Sequence, residues 1–106
     1  MTSREASPVR FRFQADVIYW RGPSPFFFVA VPPREAAEMR HVARAVTYGW
    51  GMIPVQARIG EVDFTTSLFP KEETYLLPVK VAVRRKANVT AGDLVSVEMS
   101  VQAAER

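Results

Sequence analysis

Residues Gly60–Lys80 read GEVDFTTSLFPKEETYLLPVK. Val62, Phe64, Thr66 and Leu68 alternate with Asp63, Thr65 and Ser67, the period of two that a strand with one buried face requires. Gly60-Glu61 makes a two-residue turn, and before it Ile53, Val55, Ala57 and Ile59 alternate with Pro54, Gln56 and Arg58. Two alternating runs on either side of such a turn form an antiparallel hairpin. Beyond it, a charged loop around Phe69 to Thr74 leads to Leu77, Val79, Val81 and Val83, alternating with Pro78, Lys80, Ala82 and Arg84. The spacing predicts a further strand there.

The same period recurs toward both termini. Val9, Phe11, Phe13, Ala15, Val17 and Tyr19 are apolar and alternate with Arg10, Arg12, Gln14 and Asp16, whereas Phe26 to Val31 is a continuous apolar run of strand formers. Ala91-Gly92-Asp93 is a turn into a last strand with Val95, Val97, Met99 and Val101 facing inward. Pro33, suited to a first helical position, opens a helix to about Val46 that places Ala36, Met39, Val42, Ala43 and Val46 on one face. The fold expected is mainly β: a small, six-stranded, mostly antiparallel barrel with one α-helix over an opening or a face. Pro54 and Pro78 fit strand starts, bulges or edges in such an arrangement. Residues 1–8 read as a tail, 9–102 as a single domain and 103–106 as a frayed end.

Composition bounds the chemistry. A chain of 106 residues holds one modest core. With no cysteine and one histidine it has neither disulfides nor the usual zinc ligand sets, so no cofactor is implied. The net charge of +3 is too small for a nucleic-acid footprint. No apolar run reaches the length of a membrane span and MTSREASPVR lacks the apolar stretch of a secretory signal, so a cytoplasmic location is expected.

Taken in order, FQADVIYW, TYGWGMIPVQARIG, TTSLFP and LPVKVAVRRKANVTAGDLVSVEM resemble the DUF1905 family, small bacterial domains of no established function. The resemblance covers residues 9–101 and implies a six-stranded barrel with a helix. It departs at Phe64, where the family often carries tryptophan, and in the charged loop Lys71-Glu72-Glu73. The family sometimes accompanies a domain named for bacteriocin protection, a companion not expected within these 106 residues. The Ala-Gly-Asp turn into a valine-rich strand is also similar to that of swapped-hairpin regulators, and a homodimer is an expectation on that analogy.

Strand parity turns Arg58, Thr65, Ser67, Lys80 and Arg84 away from the core, and together they would form a basic, hydroxyl-lined patch suited to an anion or carboxylate. The plainer alternative is a solvated sheet face with cross-strand pairs that involve Asp63 and Glu98. Ser67 and Lys80 would make a nucleophile pair only if the lysine were desolvated. His41 falls opposite the apolar face of the helix, as a surface histidine does. Trp20, Tyr48 and Trp50 stand at element ends, where such rings plug a barrel opening or line a cleft. Phe11, Phe13 and Tyr19 lie on the apolar phase of their strand, which argues against a stacking platform for single-stranded nucleic acid. The expectation is a non-catalytic module for a small anionic ligand or a protein partner, with Tyr48, Trp50, Arg58, Ser67, Lys80 and Arg84 as its surface. An enzyme using Lys80 and Ser67 on a small anionic substrate is the alternative class.

Overall fold

The computed structural model describes residues 8–23, 26–46 and 51–102. In chain order they form β1 (Pro8–Trp20), β2 (Phe26–Ala30), α1 (Pro33–Val46), β3 (Ile53–Ile59), β4 (Val62–Lys71), β5 (Thr74–Val79), α2 (Val81–Ala87) and β6 (Leu94–Gln102). The strands close into a barrel in the order β1-β2-β5-β4-β3-β6, every neighbouring pair antiparallel. Closure removes the free sheet edges that would otherwise recruit other strands.

β1 closes the barrel because it is long enough to serve two partners. Its residues from Pro8 to Asp16 pair with β6, and those from Val17 to Trp20 pair with β2. The change of partner is stapled by the turn before β6: Val17 donates to the Asp93 carbonyl at 2.9 Å and Gly92 donates to the Val17 carbonyl at 2.7 Å. Gly92 stands at φ 91°, a conformation costly for other residues, and the Asp93 carboxylate accepts from the Thr90 amide at 2.8 Å.

The alternation read from the sequence becomes the core. β3 alternates buried and exposed without interruption, and Phe11, Phe13, Val17, Val95, Val97, Met99 and Val101 point inward from β1 and β6. Each end of the barrel is covered by a helix placed there by its connections. α1 leaves the end of β2 and precedes the start of β3, and it inserts Ala36 and Met39, both fully buried, into the core. Its entry is fixed by Val31, which donates to the Tyr75 carbonyl at 2.9 Å, and by Arg40, which donates to the Glu73 carbonyl at 2.9 Å. α2 joins β5 to β6 at the opposite end and packs Val83 and Ala87 against the core. Neither helix is long and apolar enough to cross a membrane.

Four expectations are corrected. The strand placed over 77–84 is β5 only as far as Val79, and Lys80 is the N-cap position of α2, a second helix. In Val81–Ala87 the apolar residues Val83 and Ala87 satisfy a helical i, i+4 spacing, and Val81 and Val83 also satisfy a strand's period. The terminating residue decides it: Asn88 adopts the left-handed conformation (φ 59°, ψ 50°) and its amide bonds back to Arg84 and Arg85 carbonyls. Arg84, Arg85 and Lys86 in the last turn suit the negative end of the helix dipole. The loop around Phe69–Thr74 is mostly strand, with Glu72-Glu73 alone as the turn and Glu72 at φ 55°. Trp20 does not plug an opening, because its parity turns it to the outer face, where it is 47% exposed. Tyr19, on the inward phase but beyond the covered part of the barrel, is 41% exposed.

Candidate functional site

Outward side chains of β1, β6, β3 and β4 meet in transverse rows because each strand is in register with the next. One row runs Arg12, Glu98, Arg58, Asp63, alternating in sign across four strands. Arg12 Nη2 lies 3.3 Å from Glu98 Oε2, and Arg58 Nε lies 3.8 Å from Asp63 Oδ1. All four side chains are exposed, so each pair contributes about 1 kcal/mol at most. Their larger consequence is that both carboxylates already face arginines.

The adjacent row, two residues along each strand, runs Arg10, Ser100, Gln56, Thr65. It holds a guanidinium, two hydroxyls and a carboxamide, and no acid. Arg10 has no ion-pair partner among the described residues. The two rows line an open trough of about 890 Å³ on the outer face of the barrel. A smaller hollow of about 410 Å³ continues it past Gln56, Thr65 and Ser100 to Pro54 and Ser67. The trough contains Arg10, Arg12 and Arg58 against Asp63 and Glu98, an excess of one positive charge, and that charge stands in the row without acids.

The structure thus brings part of the expected patch together. Arg58 lines the trough, held by Asp63 and by a 3.3 Å bond from its Nε to the Gly60 carbonyl, and Ser67 lines the adjoining hollow. Lys80 and Arg84 line neither hollow. Their expected strand parity is lost with the strand: Lys80 is exposed at the start of α2, without the burial that a Ser67–Lys80 nucleophile pair demands of its amine. Arg84 is half-buried on α2 with its guanidinium 4.0 Å from the centre of the Phe27 ring, and its Nη1 donates to the Val89 carbonyl at 3.4 Å. Its Nε is buried with no hydrogen-bond partner. Tyr48 and Trp50 lie outside the described residues. His41 is exposed on α1, as expected.

Arg84 therefore clamps α2 to β2. Arg84→Ala is expected to lower stability by about 1–2 kcal/mol through the lost stacking and stem packing. A urea denaturation curve measures this, and an unchanged midpoint would remove the clamp.

Arg10, Gln56 and Ser100 escaped the sequence reading because nothing local says that β6 lies between β1 and β3. Among the described residues no three acidic, histidine or cysteine side chains gather as a metal site would need. The fixed resources of the trough are hydrogen-bond donors and one unneutralised cation, which together suit a carboxylate or another oxyanion.

Residues 13–99 match the family described as a domain of unknown function (DUF1905). The chain belongs to the DUF1905 family. No curated protein matches it. The DUF1905 match takes in Gln56, Arg58, Thr65, Ser67 and Glu98 of the two hollows, while Arg10, Arg12 and Ser100 lie just beyond its ends.

Proposed function

We propose that this DUF1905 domain is a non-catalytic binding module whose trough takes a small anionic ligand, with a carboxylate or similar oxyanion against Arg10 and the Ser100-Gln56-Thr65 row. The observation that carries this is the pairing pattern. Register places a guanidinium beside three uncharged donor-bearing side chains, while the neighbouring row neutralises its own charges. An anion entering the trough meets no unopposed carboxylate. Catalysis by Ser67 and Lys80 is the weaker reading, since the lysine is exposed.

Because the trough is open, screening by water and salt keeps the affinity low, and a micromolar to millimolar ligand is expected. The test is calorimetric titration with citrate and with inorganic phosphate at two ionic strengths. Arg10→Ala is expected to weaken binding about 10-fold, the size of one charge-assisted hydrogen bond of about 1.5 kcal/mol. Lys80→Ala and Arg84→Ala are expected to leave it within twofold. Equal binding by wild type and Arg10→Ala would refute the assignment.

A further inference from the structure

Where β1 leaves β6 for β2, part of the outer face of β1, β2, β5 and β4 is apolar. Outward parity collects Ile18 and Trp20 from β1, Phe26 and Phe28 from β2, Pro78 from β5 and Phe69 from β4. Phe26 is the hub: its ring centre lies 5.5 Å from Trp20, 5.3 Å from Phe28 and 6.0 Å from Phe69. Trp20 lies against Gly22 so closely that a Cβ there would collide with its six-membered ring. Even packed this way, Ile18 remains 41% and Trp20 47% exposed. None of these six residues is charged.

Charge instead flanks the β1 part of this face. Asp16, outward on β1, is exposed before Ile18, and Arg21, outside the strand and directly after Trp20, is exposed beyond it. Neither has an ion-pair partner among the described residues. At about 3.3 Å per strand residue the two stand roughly 16 Å apart, with Ile18 and Trp20 between them. We infer that this face binds a second copy of the same chain about a two-fold axis passing near Ile18. That operation lays apolar surface on apolar surface and sets Asp16 of each copy against Arg21 of the other, so the face is complementary to itself in charge as an isologous contact requires.

The size of the patch sets the strength. Strand spacing of about 4.8 Å and five residues along β1 give a flat footprint of roughly 240 Å², about a third of the ~800 Å² per partner of a standard stable interface. The dimer is accordingly weak and reversible, with a dissociation constant in the micromolar range or above. It does not rest on the anion site, which has separate residues.

The test is sedimentation velocity from about 10 μM to 1 mM. Wild type should shift from monomer toward dimer as concentration rises. Trp20→Glu, at a half-exposed position that leaves folding intact by circular dichroism, should stay monomeric throughout. Asp16→Arg and Arg21→Asp should each weaken self-association about 10-fold, yet the two variants mixed should associate at least as well as wild type, because each then supplies the sign the other lacks. A wild type that remains monomeric at 1 mM overturns the inference, even if an oligonucleotide or another protein covers the face. A dimer indifferent to Trp20→Glu, or two charge variants that fail to associate when mixed, also overturns it.

Discussion

Met39→Asp is expected to abolish the folded state. Met39 is fully buried on α1, one turn from the fully buried Ala36, and both belong to the core inside the barrel. Truncating a buried methionine costs about 2–5 kcal/mol from lost burial and the cavity left behind. A carboxylate with no partner adds several kcal/mol more, whether it stays ionised or takes up a proton. The sum is comparable to the ~5–15 kcal/mol that holds a domain together. Met39→Leu, which nearly preserves volume, should cost less than about 1.5 kcal/mol and separates charge from shape. Circular dichroism and amide dispersion in a proton NMR spectrum would read both variants. A Met39→Asp protein that melts cooperatively within about 5 °C of wild type would mean that α1 is not part of the core.

The second large effect is at the barrel's centre. Leu77 is fully buried on β5 and in register with Val29, also fully buried, on β2. Barrel walls are tied to both neighbours by backbone ladders and cannot collapse far into a void. Leu77→Ala should therefore fall near the middle of the ~2–5 kcal/mol range, about 3 kcal/mol, lowering the melting temperature by roughly 15 °C. The adjacent Leu76 is also buried but faces the other way and lies outside the core cluster, beside Phe69 and Ala30 in register. Leu76→Ala should cost appreciably less, because the outer aromatic side chains can settle into the space. Equal losses at the two positions would contradict the inside and outside assigned to β5.

The strands were legible because a half-buried strand writes its burial into alternate residues. β3 shows this without a break, and β6 shows it from Val95 to Val101. The same rule failed at Val81, where a strand's period and a helical face coincide for a few residues, and Asn88 with its preceding basic run was the better guide. It also failed for Tyr19 in another way: parity gives a direction but not the length of strand that the rest of the barrel covers. The outer trough was half legible. Arg58 and Ser67 line the two hollows and were readable as outward polar residues from one strand each, but Lys80 and Arg84 inherited a wrong strand assignment. Arg10, Gln56 and Ser100 could not be joined, because their adjacency requires knowing which strands are neighbours.

The sequence by itself determined six strands and the first helix, the hairpin at Gly60-Glu61, the inward face of most strands and the family, since these depend on period, turn chemistry and local pattern. Only the tertiary structure decided the order β1-β2-β5-β4-β3-β6, the helix over each end, and the assembly of a donor-bearing trough and an aromatic face. The physical reason is range. Alternation is enforced residue by residue through burial, whereas a row such as Arg10-Ser100-Gln56-Thr65 exists only after strands far apart in the chain have closed the barrel and fixed their register.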